Sequence, residues 1–118
     1  MNLVAFVGKD KEGLGQISAL INHFECERIF IVKDKNTPEL IKNRKCKFVS
    51  FDMQKDIISL KNEIKEKLQK ELSADFEVAL SLPSGSGKEH MALISALLAI
   101  PIGIKLVVYT KKGIEFLS

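Results

Sequence analysis

The sequence predicts an α/β fold: a doubly wound, mainly parallel sheet of about six strands with an antiparallel hairpin at its C-terminal edge. Short, wholly apolar runs such as Leu3–Val7 are typical of strands that are buried on both faces of a parallel sheet. Between these runs, apolar residues recur every three or four positions, which is the period of a helix. Strands that alternate with helices imply right-handed crossovers and helices on both faces of the sheet.

The first half of the chain contains three predicted strands and two predicted helices. The strands are Leu3–Val7, Arg28–Val32 and Lys45–Phe51, all mainly apolar and bounded by polar residues or glycine. The first helix, Leu14–Phe24, has one apolar stripe to bury. The second helix is short, with Thr37 as its N-cap and Pro38 as its first residue, a position where proline loses no hydrogen bond.

The second half begins with the longest helix, from about Met53 to Leu72, for which Asp52 is the expected N-cap. The helix Glu89–Ile100 ends at Pro101, which cannot continue it. Lys111, Lys112 and Gly113 form the turn of the closing hairpin. The remaining strands are Phe76–Leu82, Gly103–Tyr109 and Ile114–Leu117. The expected unit is one Rossmann-like domain over residues 1–118, because this length suits a single core.

Composition excludes several classes of function. A net charge of +3 is low for a DNA-binding domain, so no direct DNA binding is expected. Two cysteines and two histidines are too few for a zinc or iron–sulfur site, so neither a metal nor a cofactor is expected. Cys26 and Cys46 lie in apolar surroundings, which suggests reduced thiols in the cytoplasm. No apolar run reaches the roughly 20 residues of a membrane span, so no membrane contact is expected.

Two glycine-rich loops follow the first and the fourth strand. Open parallel sheets bind ligands at the carboxyl ends of their strands, where the strand order reverses. With the common order 3-2-1-4-5, this point lies between the first and fourth strands. The loops Gly8–Gly13 and Ser84–Lys88 are therefore expected to line one crevice.

These loops supply the candidate ligand-binding residues. Their glycines allow backbone N–H groups to face an anion, and the start of the following helix adds partial positive charge. Lys88 adds a full positive charge that is unfavourable at a helix start unless an anion compensates it. Alternatively, the glycines only form a tight turn and Ser86 caps the helix. The candidates are Gly8, Lys9, Asp10, Ser84, Gly85, Ser86, Gly87 and Lys88.

Two further polar residues have alternative interpretations. His90, in the first turn of the helix, either contacts a phosphate or a base or is a half-exposed residue without function. Asp34, after the second strand, either reaches a ribose or caps a loop, and the sequence favours the cap.

The helix Glu89–Ile100 is apolar on almost every side, and from Met91 onward only Ser95 is polar. Such a helix needs burial on more than its sheet-facing side. A two-fold homodimer through this helix is the favoured solution, and cover by a neighbouring helix of the same chain is the alternative. A dimer would bring two Ser84–Lys88 loops together in one composite site.

The motif Ser84-Gly85-Ser86-Gly87-Lys88, followed by an apolar helix, resembles the signature of CRISPR-associated Rossmann fold (CARF) domains, roughly Thr/Ser-Gly-Gly-Thr-Lys. Ser84, Gly85 and Lys88 match, whereas Ser86 and Gly87 exchange the order of the family's Gly and Thr. The resemblance covers nearly the whole chain, including the closing hairpin. It implies a homodimer that binds a cyclic oligoadenylate second messenger in antiviral defence, as a stand-alone or excised sensory domain.

The resemblance also leaves a catalytic alternative open, because some CARF domains are metal-independent ring nucleases. In such an enzyme each ribose 2′-OH attacks its adjacent phosphate. Lys88 would stabilise the developing charge and His90 would assist proton transfer. Because residues 8–10 offer no hydroxyl, binding is favoured over cleavage. A third possibility is an unrelated Rossmann-like domain that binds a nucleotide or a phosphate.

Overall fold

The computed structural model describes residues 1–118 and contains six strands and three helices. The strands are β1 (Asn2–Val7), β2 (Ile29–Asp34), β3 (Cys46–Phe51), β4 (Glu77–Ser81), β5 (Gly103–Thr110) and β6 (Gly113–Phe116). The helices are α1 (Lys11–His23), α2 (Ile57–Glu71) and α3 (Gly87–Leu98).

All six strands belong to one sheet in the order β3-β2-β1-β4-β5-β6. Every neighbouring pair is parallel except β5 and β6, which form an antiparallel hairpin at the edge. The predicted fold class and strand order are confirmed. The order reverses between β1 and β4, so the carboxyl ends of these two strands flank the place where such sheets bind ligands.

The apolar runs of the central strands follow from burial on both faces. In β1, Val4 and Phe6 face the core under α2 and α3, whereas Leu3, Ala5 and Val7 face the core under α1. Each side chain of β1 is buried, which explains why the run shows no alternation with polar residues.

The short helix predicted at Thr37 and Pro38 does not form, so that prediction is wrong. The carbonyl of a helix N-cap normally accepts the first intrahelical hydrogen bond. Here the buried Lys33 ammonium donates to the Thr37 carbonyl at 2.9 Å instead. The segment between β2 and β3 is a loop, and its buried Ile41 covers the sheet on the α1 side.

The long helix begins at Ile57, four residues later than the predicted Met53, and its N-cap is Asp56 rather than Asp52. Asp56 accepts from the Ser59 N–H at 2.9 Å. Met53 lies outside the helix, with its N–H donating to the Asp34 carboxylate at 3.0 Å. Its carbonyl, which would accept an intrahelical hydrogen bond, instead accepts from the Lys88 ammonium at 3.0 Å. Asp52 instead accepts from the Gln54 N–H at 3.0 Å and stabilises a turn.

The two remaining helices, in contrast, start earlier than the periodicity indicates. Asp10 caps α1 through the Gly13 N–H, so α1 starts at Lys11 within the predicted Gly8–Gly13 loop. Ser86 is the N-cap of α3, which starts at Gly87. None of the three helices combines the length and the apolar character that crossing a membrane requires.

Candidate functional site

A crevice of about 310 Å³ lies at the reversal of strand order. The loops after β1 and β4 form two of its walls, and residues that follow β2 and β3 form the rest. It is lined by Gly8, Lys9, Asp10, Asp34, Thr37, Met53, Gln54, Gly85, Ser86 and Glu89. The structure thus brings together the two predicted loops. The sequence does not indicate Thr37, Met53, Gln54 and Glu89 as lining residues, although the predicted position of β3 next to β2 places the segment after β3 at the same edge.

Ser84 and Asp10 join the two loops. The Ser84 side chain is fully buried, and its hydroxyl donates to Asp10 Oδ1 at 2.8 Å. The same hydroxyl oxygen accepts from the Gly8 N–H at 2.8 Å. Asp10 Oδ1 also accepts from the Gly85 N–H at 3.0 Å. The polar atoms of both side chains therefore hold the walls of the crevice in place.

The Asp10 carboxylate is stabilised in its charged form by these donors. The Gly85 N–H and the Ser84 hydroxyl lower the pKa of Asp10 below its ordinary value. The Gly13 N–H adds a further hydrogen bond to Oδ2 at 3.0 Å. Donors of the protein thus satisfy much of the negative charge of Asp10.

Two glycines permit the close contact between the loops. A Cβ atom on Gly8 would lie 2.9 Å from the Cα of Gly85. Gly85 has a φ of +99°, and a Cβ there would lie 2.5 Å from the Phe6 ring. A larger residue at Gly8 would push the loops apart, and one at Gly85 would collide with Phe6 in β1.

The start of α3 carries its own carboxylate. Glu89 Oε1 accepts from the Ser86 N–H at 2.8 Å and from the Ser86 hydroxyl at 2.7 Å. The N–H groups of Gly87 and Lys88 belong to the first turn, where no intrahelical acceptor exists. Ser86 therefore has the helix-cap role of the alternative interpretation, and its own N–H is bound by Glu89.

Lys88 is exposed, and its ammonium donates to the Met53 carbonyl at 3.0 Å. The same Met53 residue is held through its N–H by Asp34, whose pKa this hydrogen bond lowers. The second oxygen of Asp34 accepts from the Asn36 N–H at 3.1 Å. Asp34 thus has the loop-capping role that the sequence favoured over a ribose contact.

His90 lies behind the β4–α3 loop and does not line the crevice. Its Nε2 is 2.6 Å from the Ser84 carbonyl oxygen, which can only accept, so Nε2 carries a proton. The ring meets Phe6 edge-on, with centroids 6.0 Å apart. His90 therefore orients the Ser84–Gly85 peptide group, whose N–H points to Asp10.

The outer face of α3 is apolar and exposed. Buried residues of α3 pack on the sheet and beside α2, so the neighbouring helix of the chain covers part of α3. Met91 and Leu98 nevertheless remain 59% and 72% exposed. On one side lies a groove of about 520 Å³ with Ile57 and Ile58 of α2. On the other side lies a groove of about 260 Å³, lined by Leu80, Leu82, Pro83, Ile94, Leu106, Val107, Val108 and Leu117.

The crevice is lined by charged groups of both signs and has no metal-ligand cluster. Lys9, Asp10, Asp34 and Glu89 line it, and Lys88 lies beside it. No three His, Cys, Asp or Glu side chains are grouped to hold a metal ion. Cys26 and Cys46 are free thiols, and burial raises the pKa of both.

No protein-family model, curated protein or solved structure matches the chain.

Proposed function

We propose that the protein binds a cyclic oligoadenylate second messenger as a homodimer, in the manner of CARF domains in CRISPR defence. The observation that carries this proposal is the junction of the two glycine-rich loops at the reversal of strand order. This junction forms a crevice beside Lys9 and Lys88, and the motif that resembles the CARF signature supplies one of its walls.

The balance of charge supports an anionic ligand. Asp10 and Asp34 each accept hydrogen bonds from backbone N–H groups, which compensate much of their negative charge. Lys9 and Lys88 have no carboxylate within ion-pair distance. Their positive charges are therefore available to phosphate groups of a ligand.

The size of the crevice supports a site shared by two copies. A volume of about 310 Å³ is at the lower end of the range for ligand pockets, so one crevice suits a part of a cyclic oligonucleotide. The exposed stripe of α3 with Met91 and Leu98 gives a second copy an apolar surface to bury. A two-fold axis along α3 would set two crevices side by side at the same sheet edge, which suits a symmetric ligand.

Binding without cleavage is the better supported activity. A ring nuclease would use a group that assists proton transfer at the ribose 2′-OH. The Nε2 proton of His90 is engaged with the Ser84 carbonyl, and residues 8–10 offer no hydroxyl. The buried Ser84 hydroxyl is engaged with Asp10. We therefore expect the ligand to be bound intact.

Calorimetric titration with cyclic tetra-adenylate and cyclic hexa-adenylate tests this proposal. Substitution Lys88→Ala should weaken binding about tenfold or more, because it removes a charge-assisted contact. Lys42→Ala, an exposed lysine in the β2–β3 loop, is the matched control and should bind as the wild type does. Failure of the wild type to bind either ring would contradict the proposal.

An unrelated nucleotide- or phosphate-binding role is the alternative that the same titration separates. A crevice of this size could take a single mononucleotide without a partner subunit. Saturable binding of adenosine monophosphate by a monomer, together with no binding of cyclic rings, would favour that alternative.

A further inference from the structure

The free protein places one of its own carboxylates among the donors of the crevice. Glu89 is half-buried and lines the crevice together with Gly85 and Ser86. One oxygen, Oε1, takes both the N–H and the hydroxyl of Ser86, at 2.8 and 2.7 Å. The Ser86 donors are therefore already occupied by a negatively charged group.

The positive group next to Glu89 is turned to another acceptor. The Lys88 ammonium donates to the Met53 carbonyl and forms no ion pair with Glu89. Glu89 thus has no cationic partner at the mouth of the crevice. An incoming phosphate meets this carboxylate at the point where it would use the Ser86 donors.

We propose that Glu89 determines which anions the crevice accepts, because its carboxylate must be displaced before a phosphate can reach Ser86. This inference rests on the proposed function, since it assigns a selectivity role within the same site. Small anions such as inorganic phosphate gain too few contacts to displace Glu89. A ligand with several phosphates gains contacts with Lys9, Lys88 and the backbone donors at once, and these offset the loss of the Glu89 contact.

If Glu89 competes with anions, neutralising it should have the opposite effect on anion binding from neutralising a residue that only caps the helix. Neutralising a cap residue weakens the helix and would leave anion binding unchanged or weaker. Neutralising a competing charge strengthens anion binding, because repulsion between like charges a few ångströms apart is removed. Glu89→Gln keeps a side-chain oxygen that can accept from Ser86 while removing the charge, so it separates the two effects.

Titration of the ¹⁵N-labelled full chain with inorganic phosphate, at constant ionic strength, tests the inference. The amide signals of Ser86, Gly87 and Lys88 report binding at the crevice. We expect Glu89→Gln to bind phosphate about tenfold more tightly than the wild type. Glu66→Gln, which removes the same charge from the exposed face of α2, is the control and should match the wild type.

A second variant guards against misfolding of Glu89→Gln. Glu89→Asp keeps the charge but shortens the side chain, so it should hold Ser86 less closely and give an affinity for phosphate between the two. Equal phosphate affinities of Glu89→Gln, Glu89→Asp and the wild type would overturn the inference. The same result would follow if Glu66→Gln strengthened binding as much as Glu89→Gln.

Parallel titrations with cyclic tetra-adenylate separate this inference from the proposed function. Tighter phosphate binding by Glu89→Gln without any cyclic oligoadenylate binding would retain the role of Glu89 and contradict the proposed ligand. Cyclic tetra-adenylate binding by the wild type, with no gain for phosphate in Glu89→Gln, would retain the ligand and contradict the role of Glu89.

Discussion

Ser84 and Asp10 connect loops that are 74 positions apart in the sequence. From the sequence both are candidate ligand contacts, because a hydroxyl and a carboxylate follow neighbouring strands. In the structure the buried hydroxyl of Ser84 and the carboxylate of Asp10 bind each other and the backbone of the opposite loop. A hydrogen bond over such a separation depends on the exact stagger of β1 against β4, which residue patterns do not specify.

The carboxylate of Asp10 should make stability depend on pH. Its pKa is lower in the folded protein than in the unfolded chain because of the Gly85 N–H and the Ser84 hydroxyl. A group of this kind contributes stability above its unfolded pKa, about 3.9 for aspartate, and loses it as the pH falls through the folded pKa. Urea unfolding should show Asp10→Asn less stable than the wild type at neutral pH, with the difference narrowing below about pH 4.

The exposed Glu39, in the β2–β3 loop, provides the control for this pH series. Glu39→Gln should track the wild type at every pH, because Glu39 is exposed and forms no ion pair. A stability difference between Asp10→Asn and the wild type that stays constant down to about pH 2 would contradict the assigned role of Asp10.

Gly85 and Gly87 lie in the same loop but differ in whether the structure requires glycine. Gly85→Ala should cost more than about 2 kcal/mol of unfolding free energy, because its φ is +99° and its Cβ would meet the Phe6 ring. Gly87→Ala should be neutral or stabilise by up to about 1 kcal/mol, because Gly87 begins α3 and no atom lies near its Cβ position. Denaturant unfolding of the two variants measures both values. Equal stabilities would contradict the described loop contact.

At the scale of elements, hydrophobic patterns predict most of the fold. Buried runs and helical stripes depend on local periodicity, so the strands, the long helices and the closing hairpin are recovered. The absent helix at Pro38 and the late start of α2 have a different origin. In both places a lysine side chain binds a carbonyl that the predicted helix needed: Lys33 binds Thr37, and Lys88 binds Met53. Such capture depends on tertiary contacts and leaves no periodic signal.

The sequence predicts which loops form the candidate site but not the role of each residue in them. The position of the crevice follows from strand order and from the two glycine-rich segments. Which residues line the crevice and which only support the loop does not follow from the sequence, because this depends on which side chains the loops bury. Ser84 is buried and His90 binds its carbonyl, so both stabilise the β4–α3 loop without lining the crevice. Gln54 and Glu89 line the crevice instead.

At the scale of the whole molecule, the outer face of α3 is the expected dimer surface. Leu98→Asp should convert a dimer of two 13.2 kDa chains into a monomer, because a buried, unpaired charge in an interface costs several kcal/mol. Leu98 is 72% exposed in the single chain, so the fold of each copy should survive the substitution. Light scattering coupled to size-exclusion chromatography gives the mass, and circular dichroism checks the fold.

A matched variant lies far from α3. Leu40 is 63% exposed in the β2–β3 loop, so Leu40→Asp should remain dimeric. A wild type that is monomeric at all concentrations, or a Leu98→Asp variant with the wild-type mass, would contradict an interface through α3.

We propose that the protein retains an intact cyclic oligoadenylate. The most direct test mixes excess protein with cyclic tetra-adenylate in EDTA, passes the mixture through an ultrafilter and identifies the nucleotide on each side by chromatography. We predict that intact ring is retained with the protein. Linear fragments would favour the ring nuclease, since EDTA leaves only metal-independent cleavage. Free passage of the unchanged tetramer, and of the hexamer in a repeat, would contradict the claim.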